Sequence, residues 1–208
     1  MNFNKDLWDT TEAKEFGEYE TLELGGHEVT ILDVREYTSD ISGNTSLKVS
    51  VDVSGTDKQA GFFKKQFDEN TAEDKKWPSG AVKYLSLKDE QIAYLKGFIT
   101  AVENSNKGFK FNKAGEWNQL KGKKIAGVFG LEEYTKQDGT VGAATKLIQF
   151  RSLDKLSEIQ VPRVRLLNGT LVNFEDYKPS ESGSNLQKMA DDLFGSSTVE
   201  IGDDMLPF

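Results

Sequence analysis

The sequence predicts a mainly β domain followed by an acidic tail. Apolar and polar residues alternate over several short segments, which is typical of half-buried strands. One longer segment near the middle carries apolar residues at helical spacing, and the last thirty residues have neither pattern. We therefore expect a folded domain over residues 1–178 and a flexible tail over residues 179–208.

The first part of the domain predicts three antiparallel strands in a meander. Residues 27–37 are rich in valine, isoleucine and leucine, with one break in their alternation that is typical of a β-bulge. A Ser-Gly-Asn turn follows at residues 42–44, and residues 47–53 then alternate strictly, which predicts a half-buried strand. The phenylalanine-rich residues 61–67 predict the third strand.

A single amphipathic helix is predicted next. Residues 68–84 are polar and predict a loop, after which residues 87–104 carry apolar side chains three and four positions apart. Gly108 lies just beyond this segment, where a glycine often ends a helix.

Two strands and a short hairpin complete the predicted domain. The strands are residues 124–134 and 145–152, joined by a loop with an Asp-Gly turn pair, and the hairpin is residues 164–167 and 170–174 around Asn-Gly. The order of three strands, a helix and two strands is that of the OB-fold, a five-stranded Greek-key barrel with a helix between strands three and four. We therefore predict an OB-fold with an extra C-terminal β-hairpin and a disordered acidic tail. A generic α+β sandwich with the same element order is the alternative.

Composition limits the classes of function. The chain has no cysteine and one histidine, His27, which we expect on the surface of a strand, so Cys–His catalysis and ordinary structural zinc sites are excluded. No segment approaches the roughly 20 apolar residues of a membrane-spanning helix. We predict a protein that is not an enzyme and holds no cofactor or metal. A carboxylate–metal nuclease is an alternative, because Glu132, Glu133 and Asp138 lie close together in the sequence.

The charge of the chain is unevenly distributed. The net charge is −8, but residues 60–165 carry 19 basic and 13 acidic side chains and are therefore net positive. Residues 1–59 and 179–208 are both acidic. A basic middle is typical of a nucleic-acid-binding surface, and an ordinary solvated lysine surface is the alternative.

Aromatic residues alternate with lysines in this basic middle. Proteins bind single strands with cations that contact phosphates and aromatic rings that stack on bases, at about 1–3 kcal/mol per base. We predict stacking or loop anchoring for Trp77 and Trp117, and in an OB-fold the loop between the fourth and fifth strands borders the binding face. The candidate DNA-binding residues are Tyr37, Phe62, Lys64, Trp77, Lys110, Trp117, Lys123, Tyr134, Lys136, Lys146 and Arg151.

The last six residues predict a docking peptide for partner proteins. They are Asp203, Asp204, Met205, Leu206, Pro207 and Phe208. The two aspartates are anions that a basic surface attracts, and Pro207 restricts the backbone, which lowers the entropy lost on docking. Phe208 offers a ring and the terminal carboxylate together, which a pocket with a basic residue at its edge can bind.

This tip resembles the acidic tail of bacterial and bacteriophage single-stranded-DNA-binding proteins, which ends in several Asp, an apolar residue, Pro and Phe. Asp203, Asp204, Leu206, Pro207 and Phe208 match that pattern, whereas Met205 takes a place that is usually acidic. The longer body looks more like the phage-encoded members.

The resemblance implies an OB-fold that binds and protects single-stranded DNA during replication and recombination, in the cytoplasm of a bacterial host cell. It implies that the tail recruits replication, recombination and repair proteins, and it leaves self-association into a homo-oligomer open. The alternative is a phage recombination accessory or interaction protein that uses the same tail without binding single strands.

Overall fold

The protein is mainly β, and its computed structural model describes residues 20–179. The strands of this part are β1 (Gly25–Thr38), β2 (Thr45–Val53), β3 (Val82–Ser86), β4 (Lys124–Thr135), β5 (Val141–Arg151), β6 (Val164–Arg165) and β7 (Leu171–Val172). The helices are α1 (Phe62–Glu69) and α2 (Ile92–Ser105). The predicted docking tip at residues 203–208 lies outside the described residues.

The strands form one mixed sheet of seven strands, in the order β3-β2-β1-β4-β6-β7. β5 pairs with the other edge of β4, since residues 126–129 of β4 pair with both β1 and β5. β6 runs parallel to β4, and the other pairs are antiparallel. The antiparallel pairing of the first two predicted strands is confirmed, but the strand that pairs with β2 on its other edge is β3, not the predicted residues 61–67.

β1 contains the irregularity that its sequence predicts. Its pairing register with β2 shifts between Ile31 and Asp33, so Leu32 is the bulged residue. The first part of β1 pairs with β4, and the part beyond Val29 pairs with β2. A bulge bends a strand and increases its twist, and here it lies near the point where β1 changes partner.

The predicted third strand is wrong, because residues 61–67 lie mostly in α1, and β3 begins inside the predicted loop and ends at Ser86. Gly61 has a positive φ of 71° and precedes α1. The Asp52 carboxylate, at the end of β2, accepts the backbone N–H groups of Val53 (2.9 Å) and Phe63 (3.0 Å). It therefore satisfies one of the free N–H groups in the first turn of α1. Burial raises the pKa of Asp52, although these hydrogen bonds act in the opposite direction.

β2 is more deeply buried than its alternation predicts. Ser50 and Asp52 are buried, as are the valines on the opposite face of the strand. For Asp52 the reason is its contact with the start of α1. The predicted half-buried strand therefore has only one end, around Lys48, with a solvent-facing side.

The predicted helix is confirmed, with a short 3-10 turn at Asp89–Gln91 before α2. Leu95, Phe98 and Val102 of α2 are buried in the core. The Asn106 amide donates to the carbonyls of Val102 (2.7 Å) and Lys124 (2.8 Å) and accepts the Lys124 N–H (3.1 Å). This side chain therefore joins the end of α2 to the start of β4.

The two C-terminal hairpins are also confirmed. Gly139 and Gly169 have φ values of 82° and 83°, which explains why their turns carry glycine. The second hairpin is shorter than predicted, since β6 and β7 each have two residues.

The sheet is open, and the closed five-stranded barrel that the sequence predicts is not confirmed. Within the described residues β3 pairs with β2 alone, and β5 pairs with β4 alone. The two strands nevertheless approach each other, because Lys146 Nζ on β5 donates to Ser79 Oγ (2.7 Å) just before β3. A Cβ atom on Gly80 would lie 2.7 Å from the Thr145 carbonyl oxygen, so this approach requires glycine.

His27 is buried, which corrects the prediction of a surface residue. Its side chain is only 2% exposed and meets the Phe129 ring edge-on at 5.7 Å. Nε2 donates to the Glu23 carbonyl (3.0 Å), and Nδ1 lies 3.2 Å from each oxygen of Asp57. The ring thus connects β1 to the chain before it and to the loop after β2.

Neither α1 nor α2 is long and apolar enough to cross a membrane, and the same holds for every helix in residues 20–179.

Candidate nucleic-acid interface

A mixed row of cations and an aromatic ring crosses the solvent side of the first three strands. Arg35 pairs directly with Lys48, and Lys48 pairs with Tyr84. Directly opposed residues in an antiparallel sheet project from the same face, so these three side chains lie side by side. The neighbouring Val34 and Val49 face the core on the other side of the sheet.

A second tyrosine completes this surface. Tyr37 and Tyr84 are 40% and 48% exposed, and their ring centroids lie 5.5 Å apart at an angle of 56°. They stand on β1 and β3, and the row between them on β2 holds the small Ser46, which pairs with Tyr37. We define the four residues Arg35, Tyr37, Lys48 and Tyr84 as the sheet face.

The charge beside the sheet face is predominantly positive. Asp33 lies on the same side of β1, with Arg35 Nε at 3.6 Å from one carboxylate oxygen and Lys121 Nζ at 3.5 Å from the other. Both cations are about half exposed or more, and exposed pairs at this distance hold their partners weakly. The guanidinium and the ammonium can therefore turn toward an anionic ligand at small cost.

The predicted residues after α2 anchor the loop in which they lie. Trp117 stacks on Phe111 with centroids 5.5 Å apart and donates from Nε1 to Glu36 (3.0 Å). Lys123 Nζ lies 4.6 Å from the centre of the Phe109 ring. This loop therefore packs beside β1, next to the sheet face, and its two aromatic contacts are internal.

Glu103 on α2 organises the same loop. Its carboxylate accepts the Phe111 N–H (2.9 Å) and lies 3.2 Å from Lys110 Nζ. The hydrogen bond from Phe111, followed by that from Lys110, lowers the pKa of Glu103. The Lys110 side chain is 82% exposed, so it stays accessible to a ligand.

The predicted residues around α1 lie apart from the sheet face. Phe62 is 6% exposed and packs edge-on against Phe63, so its selection as a stacking residue is wrong: its ring fills the core. Trp77 is half-buried and donates to the Val51 carbonyl (3.0 Å), which makes it an anchor for its loop. Lys64 is exposed and pairs with Asp68 one turn later at 2.6 Å.

The predicted residues on the β4–β5 hairpin divide between its two ends. Near the tip, Tyr134 and Lys136 pack over Gly142, where an added Cβ would lie 2.9 Å from each side chain. Lys146 lies further along β5 and contacts Ser79, and Arg151 lies at the end of β5. Of these residues, Arg151 shares a cleft with Tyr84.

This cleft has a volume of about 660 Å³ and lies between β3, β5 and α2. Its aromatic lining comes from Tyr84, Tyr94, Phe98 and Phe150. Its charged side chains are Lys83, Arg151 and Lys155, and no carboxylate is among the described residues that line it. Tyr84 belongs both to this cleft and to the sheet face, so the two surfaces meet at the edge strand β3.

The acidic residues near the β4–β5 turn do not converge. Glu133 accepts the Leu167 N–H (3.1 Å) and the Tyr177 hydroxyl (3.3 Å), whereas Asp138 accepts the N–H and hydroxyl of Thr140 within its own turn. Glu132 directly precedes Glu133 on β4 and therefore projects from the opposite face of the sheet. In residues 20–179 no three acidic or histidine side chains are arranged to hold a metal ion.

No protein-family model matches the chain, and no curated protein matches its sequence. Of the sheet face, the sequence predicts only Tyr37. Arg35 and Lys48 are visible in the alternation of β1 and β2 as polar positions between buried ones, but Tyr84 falls in a predicted loop.

Proposed function

We propose that this protein binds single-stranded DNA without sequence preference through the sheet face, and protects it during replication and recombination. The observation that carries the proposal is the cross-strand row of Arg35, Lys48 and Tyr84, with Tyr37 in contact with Tyr84. It supplies phosphate-binding cations and stacking rings on one rigid surface, the two elements that sequence-independent binding requires.

The geometry favours an unpaired strand over a duplex. Neighbouring strands lie about 4.8 Å apart, so β1 and β3 are separated by roughly 10 Å and the sheet face is narrow. The tyrosine rings stand on this surface, where a base can stack only if it is unpaired and turned toward the protein. Every base has a π-face, so stacking on Tyr37 and Tyr84 supports binding without sequence preference.

We also propose that the domain is an OB-fold whose barrel is open between β3 and β5. The order of three strands, a helix and two strands supports this, once α1 is taken as an insertion between β2 and β3. The pairing of β1 with both β2 and β4 supports it too, because a barrel requires one strand that joins its two halves. In that fold the surface of strands 2 and 3 binds single strands, and Lys48 and Tyr84 lie on these strands.

The tail has a separate role in this proposal. Its resemblance to the tips of single-stranded-DNA-binding proteins supports recruitment of replication, recombination or repair enzymes through residues 203–208. The net negative charge of residues 179–208 makes the tail a poor ligand for DNA phosphates and a good one for basic protein surfaces. The function places the protein in the cytoplasm of a bacterial cell, including one infected by a phage.

A salt titration of binding tests the proposal. The double variant Arg35→Gln with Lys48→Gln removes two cations from the sheet face. The control is Lys58→Gln, because Lys58 lies in the loop after β2, where it pairs with Glu23. Fluorescence anisotropy of a labelled oligothymidylate gives the affinity at several salt concentrations. Each phosphate contact contributes about −0.7 to the log–log slope, so the double variant should reduce its magnitude by about 1.4.

The control should keep the slope of the original protein. A slope that stays unchanged in the double variant would show that the sheet face does not contact the phosphates. A stronger affinity of the unmodified protein for duplex DNA than for oligothymidylate would contradict the proposed function as a whole.

A further inference from the structure

We propose that the bound DNA strand continues past Tyr84 into the cleft between β3, β5 and α2, and that this cleft is a second nucleotide subsite. The base lies among the aromatic rings, and the phosphate contacts Arg151 and Lys155. The inference rests on the proposed function, because it extends the path of the same ligand. It assigns a role to the helix side of the domain, which lies around the edge of the sheet from the sheet face.

The lining of the cleft has the chemistry of a nucleotide site. Phe98 and Phe150 form its apolar floor, with ring centroids 4.8 Å apart at an angle of 43°. Tyr94 stands at the rim on α2 and is 77% exposed, an unusual exposure for an aromatic ring beside an apolar floor. A base inserted against this floor would cover Tyr94 and remove its ring from water, which is favourable.

The charges around the cleft favour an anion. Arg151 and Lys155 are exposed, and Lys83 is half-buried on β3. Burial lowers the pKa of Lys83, and Arg165 acts in the same direction, although Glu132 partly offsets both. Because burial and Arg165 both disfavour the charged form of Lys83, a phosphate in the cleft would stabilise that charge.

Size and continuity identify a segment of the strand as the occupant. The volume of about 660 Å³ falls in the range of roughly 300–1,000 Å³ that is usual for small-molecule sites. The absence of carboxylates among the described lining residues disfavours a cationic ligand. Tyr84 and Arg151 both line the cleft, so a DNA strand stacked on Tyr84 can pass around the edge of β3 toward Arg151.

Strand length separates this subsite from the sheet face. An oligothymidylate of about 4 nucleotides can occupy the sheet face alone, whereas one of about 12 can extend into the cleft, both within the site sizes known for one OB-fold. The full-length variants are Tyr94→Ala and Arg151→Gln with Lys155→Gln. The control is Lys96→Gln, an exposed cation of α2 outside the cleft.

We expect the Tyr94 variant to lose at least about fivefold in affinity for the longer strand, the lower limit for one lost base stack. The Arg151 and Lys155 variant should also lower the salt slope for the longer strand by about 0.7 per lost contact. Neither variant should affect the shorter strand, and the control should affect neither strand. Variants of Arg35 and Lys48 should weaken both lengths.

Three results would overturn the inference while the original protein binds both strands. Unchanged affinity for the longer strand would show that no nucleotide enters the cleft. Equal losses for both lengths would show that the substitutions act on the sheet face. Tighter binding of the longer strand by the cleft variants than by the original protein would show that the cleft holds the chain's own acidic terminus. Failure of the original protein to bind either length would refute the proposed function itself.

Discussion

Replacing Glu28 with glutamine should destabilise the folded domain by about 3 kcal/mol at neutral pH, which we derive from the electrostatics of this carboxylate. Glu28 lies on β1, and one of its oxygens accepts Lys124 Nζ (2.7 Å) and Ser54 Oγ (2.7 Å), as well as the Thr56 hydroxyl. Glutamine keeps the size of the side chain but removes the charge that these three donors surround.

The magnitude follows from the pKa. Burial alone would raise the pKa of Glu28, but the hydrogen bonds from Lys124, Thr56 and Ser54 outweigh it and lower the pKa from 4.5 to about 2. The difference of about 2.5 pKa units, at roughly 1.4 kcal/mol each, gives about 3.5 kcal/mol before solvent screening. The Glu28 side chain is 20% exposed but that of Lys124 is 43% exposed, so solvent screening lowers this value, to about 3 kcal/mol.

The sign of the pH dependence follows as well. A carboxylate whose pKa is lower in the folded state contributes stability above its unfolded pKa and loses it as the pH falls. The contribution of Glu28 should therefore be complete above about pH 5 and decline toward pH 2, between the two pKa values.

Urea unfolding of both proteins at about pH 7 and at successively lower pH measures this difference. The matched control is Glu23→Gln, because Glu23 is 56% exposed in its pair with Lys58. It should change the free energy of unfolding by less than about 1 kcal/mol. A Glu28→Gln effect below about 1 kcal/mol at neutral pH, or one that persists at pH 2, would refute the reasoning.

Two further predictions concern the frame of the domain and its tail. Asn106→Ala should lower the melting temperature by about 4–8 °C in calorimetry, since it removes about 2 kcal/mol of partly buried hydrogen bonding, whereas the exposed Asn118→Ala should change it little. Deletion of Phe208 should weaken recruitment of a partner enzyme roughly thirtyfold, because an aromatic anchor typically contributes 2 kcal/mol or more, and should leave DNA binding unchanged. A pull-down from bacterial extract that recovers the same proteins with and without Phe208 would contradict the docking role.

Local patterns in the sequence predict much of the fold. The break in alternation near Leu32 predicts the bulge of β1, and helical spacing predicts α2. The Asp-Gly and Asn-Gly pairs predict the turns at Gly139 and Gly169. Each of these features depends on residues that are close together in the chain, which is why the sequence alone is sufficient.

The errors arise where a distant residue decides the local structure. The phenylalanine-rich residues 61–67 favour a strand by composition, but Asp52, eleven positions before Phe63, binds the first turn of α1. Phe63 and Phe67 are spaced by four, which is compatible with a helix. The sequence of this segment therefore carries both a helical spacing and a composition that favours a strand. Because α1 occupies the predicted position, the third strand of the sheet is formed by residues 82–86. Their alternation is too short to identify a strand from the sequence alone.

The candidate site could be predicted only in part for a related reason. A basic and aromatic composition indicates the kind of ligand, but the register between strands decides which side chains share a face. Lys48 meets Arg35 and Tyr84 only through pairings that join three separate segments. Composition alone predicts Phe62 as a DNA-binding residue, but Phe62 lies in the core. The same aromatic rings that can stack on bases also fill a small interior, so composition does not separate the two roles.

Photochemical crosslinking tests the central claim most directly. Full-length protein is bound to an oligonucleotide that carries bromodeoxyuridine in place of thymidine, irradiated and digested, and the modified residues are identified by mass spectrometry. If the sheet face holds the strand, Tyr37 and Tyr84 should carry the main crosslinks, and an excess of unlabelled oligothymidylate should abolish them. Crosslinks confined to other segments, such as α1 or the hairpin of β6 and β7, would contradict binding at the sheet face.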